Sequence, residues 1–564
     1  MEVDVLVVGS GCGGLTAAIA AKEFGSKKVL VIEKGNFFGG TSATSGGVIW
    51  VPQNMHATNH GVQDSYEEAF EYLKATTPPD EFNASLVSIF LKKGPEMVKF
   101  LDEKTEVIYQ TMAHYPDYFA DAPGAKLGNR ALEPVPFSGD KLKKDYQNLH
   151  PSNPMTVLFG RYAIDFNQVH AFSTQAQGWI FEITKIFISY WSDIFWRLKT
   201  KRSRKLCFGS AAIARLFYSA KKLNIDLRLQ SNLLDIEIKQ NKVVGAIVDF
   251  NGEITKIKIN QGIVLAMGGF GKSQMLREKY LPQPTNKDWG CEPNTNTGDW
   301  VEIAKKINAK LKFMDKAWWV TTLKAPNEDF PRLSDFEKAM PGNYTINKSG
   351  RRIANESQNY LTFMLDVLKK QAGGESCAPM YMIFDADYRK KYPVGPLMPG
   401  KFYPDFLIDK SWFQSKFLTK AKTIDELAQK LSIDSNELEK TINKVNVFAK
   451  TGVDTEFNRG QNARDIFFGD PENKPNPCLG PIKKGPFYAM ELNPGEFATC
   501  GGLEINEDAA VLDNDNIPIH GLYATGNCTA ALLPRYPGPG ATLGPAMTFG
   551  YLAGKKLNET QLQG

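Results

Sequence analysis

The chain has 564 residues, of which 42% are hydrophobic, 11% aromatic and 23% charged, with 48 glycines and 32 prolines. This is ordinary globular usage, which excludes a disordered, collagenous or coiled-coil chain, and the length supplies a large core without covalent staples. A net charge of +5 is far short of a nucleic-acid footprint, and seven scattered cysteines with no CxxC pair suggest neither a disulfide framework nor a metal site.

Met1 to Asp4 carry no basic n-region or cleavage site, so no secretory signal is expected and a reducing, cytoplasmic setting fits best. Val5-Leu6-Val7-Val8 predicts a buried strand, and Gly9-Ser10-Gly11-Cys12-Gly13-Gly14 a tight turn. A small-residue helix follows from Leu15, then a second apolar strand, Lys28 to Ile32, ending in Glu33. This is the dinucleotide-binding pattern: Gly9 for the turn, Gly11 for close approach of a pyrophosphate, Gly14 for helix–strand packing. The phosphates sit on the helix N-terminus, where unpaired N–H groups and the macrodipole favour anions. Glu33 lies 19 residues beyond Gly14 and can accept from a ribose 2′-hydroxyl.

Gly39-Gly40-Thr41-Ser42-Ala43-Thr44-Ser45-Gly46-Gly47 offers small hydroxyl residues that can lie against phosphate and a flat ring. Residues 178–196 hold seven aromatics, and six basic residues follow from Arg197 to Lys205. At helical spacing Ile180, Ile183, Phe187, Trp191, Ile194 and Leu198 share one face, with Glu182, Lys185, Ser189 and Ser192 on another. Charges within the run argue against a spanning helix, and the pattern favours a helix lying in a headgroup plane over a buried core helix or an oligomer contact.

Asn232 to Val248 alternates as a strand hairpin, with Leu233 and Leu234 expected to meet adenine through backbone groups. Val264 to Phe270 predicts another buried strand ending at Gly268-Gly269, and Thr297-Gly298-Asp299 opens a helix. Near the end come Gly521 to Asn527 and then Tyr536-Pro537-Gly538-Pro539-Gly540-Ala541-Thr542-Leu543-Gly544. This last stretch is a rigid loop able to aim a phenol O–H and a bare backbone N–H at one oxygen, as an oxyanion hole does, although a buried structural tyrosine on a tight turn would read the same way.

Together the glycine turns resemble the FAD-binding half of the succinate dehydrogenase/fumarate reductase flavoproteins. With no histidine near the serine-glycine loop, non-covalent FAD is expected. The C-terminal loop, with Asp4 to Trp50, Tyr115-Pro116-Asp117-Tyr118, Asp315 to Trp319, Arg351 to Glu356 and Gly521 to Tyr551, resembles the 3-ketosteroid Δ1-dehydrogenases, in their long form acting on sterols with an intact side chain. The resemblance implies an α/β fold: a Rossmann-like FAD-binding domain over 1–281 and 485–564, interrupted by an α+β substrate-binding domain over 282–484, with an amphipathic insertion at 174–206. It implies that Tyr536 and Gly540 bind the steroid C3 carbonyl, that Tyr360 removes a C2 proton, and that Tyr118, with Tyr115 the alternative, assists. Asn359 stands before Tyr360 where the family pattern has a proline, and Tyr344 lies nearby. The implied FAD set is Gly9, Gly11, Gly14, Glu33, Lys34, Gly40, Thr41, Ser42, Ser45, Gly46, Gly47, Leu234, Gly268, Gly269, Asp299, Gly526, Asn527, Thr542 and Leu543.

The implied reaction is 1,2-desaturation of a 3-oxo-4-ene steroid, the C2 proton passing to tyrosine and the C1 hydride to flavin. An unperturbed tyrosine is only ~0.1% ionised at neutral pH; a second phenol donating to Tyr360 is expected to raise that fraction. A quinone or other electron acceptor and the inner face of the cell membrane are the expected partners. The rivals are a 4-ene-forming ketosteroid dehydrogenase, a fumarate-reductase-like enzyme, for which Arg535 is the one supporting residue, and a membrane-bound flavin electron carrier.

Overall fold

The computed structural model describes residues 1–154, 156–174 and 177–559. Glu2–Val8 is buried on both faces because it lies inside a parallel sheet, between Val29–Ile32 and the long strand Glu253–Leu265. Asp226–Arg228 extends the sheet beyond Val29–Ile32, and Pro518–Ala524 pairs with the end of the long strand, Ile263 to Leu265. The first half of that long strand instead pairs antiparallel with Lys242–Phe250, which pairs with Ser231–Lys239, the expected hairpin.

The first helix, Cys12–Glu23, is buried from Cys12 to Ala21 and packs against the C-terminal helix Leu543–Glu559. The returning tail is therefore part of the same unit as the N-terminus. At the turn between the first strand and helix, Gly9 has φ +107°, and a Cβ there would lie 2.1 Å from the Ala266 carbonyl oxygen. A Cβ on Gly14 would meet the Gly9 carbonyl oxygen at 2.1 Å, so this glycine serves helix–strand packing as expected.

A second, antiparallel sheet is organised around Phe487–Thr499. One half of this strand pairs with Met380–Phe384 and Leu418–Ala421, the other with Ala317–Leu323. Sheet membership thus differs from the expected return at residue 485. Phe487–Thr499 belongs to the second sheet, and the first regains the chain at Ala510–Leu512 and Pro518–Ala524. A strand of 13 residues can serve three partners along its two edges, which alternation alone does not assign.

The aromatic insertion forms a helix, Trp179–Ser192, and a short turn, Ile194–Arg197; within the insertion, Gln175 and Ala176 lie outside the described residues. The expected apolar stripe divides. Ile186 and Tyr190, with Ile183 and Phe187, pack on Leu158, Tyr162 and Phe208. Ile180, Phe181, Ile188, Trp191, Ile194, Phe195 and Leu198 stay exposed, Phe195 at 84%. Four of the six basic residues are engaged within the chain: Arg197 donates to the Lys201 and Arg202 carbonyls, Arg202 donates to Tyr146, Leu149 and His150, Arg204 pairs with Asp193, and Lys205 pairs with Asp165. Among the described residues no helix is long and apolar enough to cross a membrane.

Candidate active site

One continuous cleft, open at the surface, runs from the first strand–helix turn to the C-terminal loop. Its dinucleotide end is built by the residues the glycine pattern picks out. Gly9, Gly11, Glu33, Lys34, Gly40, Thr41, Ser42, Ser45, Gly46, Gly47, Gly268, Asp299, Gly526, Asn527, Thr542 and Leu543 all line it. The first turn of the helix, whose N–H groups have no intrahelical acceptors, reaches it at Cys12 and Gly13. A Cβ on Gly11 would meet nothing nearer than the Ser42 hydroxyl at 3.3 Å, so the space before the turn is open to a phosphate. Ser42 accepts from the Cys12 amide at 3.1 Å. The Glu33 carboxylate is held by the Ser10 hydroxyl at 2.6 Å and the Gly35 amide at 2.9 Å. Lys34 donates to Asp299 and Thr297, each at 2.6 Å. An anion cradle on a helix N-terminus, an acid at the end of the second strand and a carboxylate–lysine pair at the rim fit FAD.

Three expected cofactor residues stand apart. Gly14 is beneath the turn, as its packing role requires. Leu234 does not line the cleft; a register shift between Leu233 and Asp235 leaves it 38% exposed, and Ser231, Asn232 and Leu233 line the wall instead. Gly269 packs against Thr499, whose hydroxyl would be 2.5 Å from a Cβ there, so Gly268 alone of the pair reaches the space.

At the other end Tyr118, Tyr360 and Tyr536 converge. Tyr118 donates to the Tyr360 hydroxyl at 3.5 Å, and Tyr115 and Tyr118 share a contact of 3.4 Å. The Tyr360 ring centroid is 5.4 Å from that of Tyr536 and 5.5 Å from that of Tyr118. Tyr360 opens the helix Tyr360–Ala372, whose N-cap is the non-proline Asn359, its side chain accepting from Thr362 at 2.9 Å. Tyr344 is on another strand, donating to the Gly480 carbonyl at 3.0 Å outside the cleft.

The C-terminal loop is pinned from three sides. The Tyr72 hydroxyl and the Tyr118 amide donate to the Pro537 carbonyl at 2.5 and 2.8 Å, and the Trp50 amide donates to Gly540 at 3.2 Å. Beneath it Asp117 accepts from Trp50, Lys126 and Arg130, and Arg130 also pairs with Asp64. Tyr536 has φ 54°, an outlier for a bulky residue and a mark of a site where geometry overrides backbone preference. Gly540 has φ +87°, and a Cβ there would fall 2.4 Å from the Val48 carbonyl oxygen. Burial raises the Tyr536 phenol above its usual value; Tyr360, Thr542 and the Gly540 amide, bonded to it, offset part of that rise. The phenol and the amide therefore meet at one point.

Tyr360 departs from expectation in its acidity. Burial pushes it well above the usual phenol value, and Tyr118 and Tyr536 push the same way. Tyr118 is raised likewise, first by burial. The hydrogen bonds that link Tyr360 to Tyr118 and Tyr536 hold its neutral form, and an ionised neighbour would repel a second charge in the same dry pocket, so the cluster opposes ionisation where a favourable donor was expected. Sequence reading also missed Phe166, Val169, Leu333, Phe336 and Phe497, which wall the tyrosine end with apolar surface, and Asp335, which lines it. They come from separate elements, the helix Phe166–Thr174, the strand Arg332–Leu333, the helix Phe336–Ala339 with Asp335 at its N-cap, and the strand Phe487–Thr499, none of which carries a motif. Arg535 is committed to Glu81, bonded bidentately at 2.7 Å.

A family described as an FAD binding domain matches residues 4–543. The 3-oxosteroid 1-dehydrogenase of Mycolicibacterium smegmatis is 35% identical over 99% of this chain and 98% of its own length. The 4-oxocyclohexanecarboxylate 2-dehydrogenase of Sinomonas cyclohexanicum is 34% identical over 98% of this chain and 92% of its own. The crystal structure of the 3-ketosteroid Δ1-dehydrogenase of Sterolibacterium denitrificans, in complex with 1,4-androstadiene-3,17-dione, superposes with a TM-score of 0.95 at 37% identity, covering 99% of this chain and 100% of that one. The chain thus belongs to the 3-oxosteroid 1-dehydrogenase family of FAD-binding enzymes, within the succinate dehydrogenase/fumarate reductase flavoprotein superfamily.

Proposed function

We propose that the protein is an FAD-dependent 3-oxosteroid 1-dehydrogenase that converts 3-oxo-4-ene steroids to 3-oxo-1,4-dienes. The observation that carries the reading is the convergence of Tyr118, Tyr360 and Tyr536 with Gly540 on the cleft that also holds the dinucleotide cradle. Tyr536 and the Gly540 amide bind the C3 ketone oxygen and stabilise the enolate that develops when C2 loses its proton; one such donor contributes ~10²–10³ in rate. Tyr360, as tyrosinate, takes that proton, and Tyr118 donates to its oxygen. Bound FAD supplies the hydride acceptor. The apolar wall orients a ring system and excludes water, which suits a phenol base better than a carboxylate that would be costly to desolvate.

Lys34, paired with Asp299 at the far end, is the only Lys or Arg among the described residues that line the cleft. That favours a neutral steroid over a ketoacid or a dicarboxylate, and Arg535, held by Glu81, supplies no such cation. The chain divides into a cofactor domain, 1–281 and 485–564, and a substrate-binding domain, 282–484, whose sheet takes in Phe487–Thr499; each domain also lends residues to the other's site, Tyr118, Tyr536 and Gly540 to the substrate and Asp299 to the cofactor. Phe181, Trp191, Phe195 and Leu198, exposed beside Lys199 and Lys201, form a face that rests on an anionic bilayer, from which a lipophilic steroid enters and a quinone accepts electrons. Mass spectrometry of products from androst-4-ene-3,17-dione, cholest-4-en-3-one and 4-oxocyclohexanecarboxylate with an artificial acceptor tests the reading. Loss of two hydrogens from ring A of the steroids is expected; turnover of the ketoacid alone would overturn it.

A further inference from the structure

The dry tyrosine cluster sets an electrostatic problem. Burial and mutual repulsion oppose ionisation of Tyr118 and Tyr360, yet the proposed reaction requires one of them to begin as an anion. A cation lies directly against the cluster. Arg464, 2% exposed, places its guanidinium carbon 5.1 Å from the centre of the Tyr118 ring and 4.9 Å from that of Phe468. It donates to the Ser357 carbonyl and to the Asp335 carboxylate, the latter at 3.2 Å, while its Nε is buried without a hydrogen-bond partner. Asp335 is itself 5% exposed and lines the cleft.

We propose that the buried Arg464–Asp335 pair governs ionisation of the tyrosine base, Arg464 holding negative charge on the Tyr118–Tyr360 pair and Asp335 limiting how strongly that cation is felt. The inference rests on the tyrosine roles given above. Neither residue touches the reacting atoms in this account; both act through Tyr118 and are positioning residues. In the step they influence, the C2–H bond breaks, its proton joins the Tyr360 oxygen, and the electron pair moves into the enolate held at Tyr536 and Gly540. The charge on the phenol pair is therefore present before the step and gone after it.

The charged and titratable groups that face Tyr118 are Tyr115, Tyr360, Tyr536, Arg464 and Asp335. Of these Arg464 alone lowers the pKa of Tyr118 by charge, favouring its ionisation, while Tyr115, Tyr536 and Asp335 raise it. Around the pair itself stand Asp465 on the same helix and Lys338. Lys338 is fully buried, its Nζ has no hydrogen-bond partner, and burial brings it down to about 8, so above that pH it no longer competes for Asp335. The opposed signs of Arg464 and Asp335 make the proposal testable from two sides.

The test is the pH dependence of kcat for flavin-loaded enzyme on androst-4-ene-3,17-dione with an artificial acceptor. Turnover should rise with pH to a plateau. Arg464→Met should move the midpoint up by about one pH unit, a roughly tenfold loss on the rising limb with recovery at high pH. Arg464→Lys keeps the charge and should restore the parental midpoint in large part; Asp335→Asn should move it down. A loss in Arg464→Met that is equal at every pH, with no shift in Asp335→Asn, would make the pair merely structural and overturn the proposal. Should Arg464→Met fail to fold by thermal melting, Arg464→Lys and Asp335→Asn carry the same comparison. Tyr118→Phe and Tyr360→Phe separate the two levels: if they retain turnover the tyrosine assignment fails, whereas if they abolish it while the midpoints stay put only the Arg464–Asp335 proposal fails.

Discussion

Replacing Tyr360 by Phe removes one oxygen and leaves the ring. Helix capping by Asn359 and contacts with Phe497, Tyr118 and Tyr536 hold that ring in place. The hydroxyl's bond from Tyr118 is 3.5 Å long, at the outer limit of a useful hydrogen bond, so its loss should cost about 1 kcal/mol of stability or less. A positioned base contributes ~10²–10⁴ in rate, which is ~2.7–5.5 kcal/mol of barrier. The two magnitudes differ enough to separate fold from chemistry. The assay is deuterium uptake at C2 from heavy water, with holoenzyme and a 3-ketosteroid but no electron acceptor, read by mass spectrometry beside steady-state turnover. The parent should exchange C2, and Tyr360→Phe should slow exchange and kcat together by at least a hundredfold, with unchanged melting temperature and flavin content. Because burial raises the Tyr360 phenol, parental exchange should also quicken as pH rises above neutral. Persistent exchange in Tyr360→Phe, even with turnover lost, would place the base elsewhere and refute the reasoning.

Tyr536→Phe should keep its flavin and lose ~10²–10³ in kcat, measured in the same turnover assay, since it removes a donor to the developing enolate. Gly540→Ala forces a Cβ to 2.4 Å from the Val48 carbonyl at φ +87°, displacing the loop; a ~10²-fold fall in kcat/KM is expected from misplacement alone. Glu292, fully buried beside Glu496, is raised by burial from 4.5 to about 8, so the folded state keeps a proton that the unfolded state releases. Its contribution to stability is lost as pH rises through that range. Thermal melting at pH 5 and pH 8.5 should therefore fall less for Glu292→Gln than for the parent, and equal falls would contradict the assignment. Phe195→Asp with Leu198→Asp should abolish co-sedimentation with anionic vesicles while leaving turnover of a soluble steroid intact; undiminished binding would refute the membrane face.

The sequence alone determined those features whose physics is local. A strand, Gly9-Ser10-Gly11-Cys12-Gly13-Gly14 and a small-residue helix can hardly be read otherwise, because positive φ at Gly9 and close packing at Gly14 are demands of one short segment. The loop from Tyr536 to Gly540 was legible only in part: its prolines fix φ and its glycines admit a tight turn, but a site tyrosine and a structural one read alike until the fold brought Tyr118 and Tyr360 against it. Tertiary structure decided whatever depends on segments far apart. Tyr118 and Tyr360 meet across 242 residues, and only the placement of Tyr360 at a helix start and of Tyr344 on a distant strand separates the two candidates. A single register shift turned Leu234 outward, and pairing along one long strand moved Phe487–Thr499 into the second sheet. The insertion helix was legible as amphipathic, but which apolar residues face Tyr162 and which face outward depends on the neighbour it packs against. The acidity of the tyrosines, and the arginine beneath them, belong to the same class: burial and Coulomb interactions sum over everything nearby in space, and chain order carries no record of that sum.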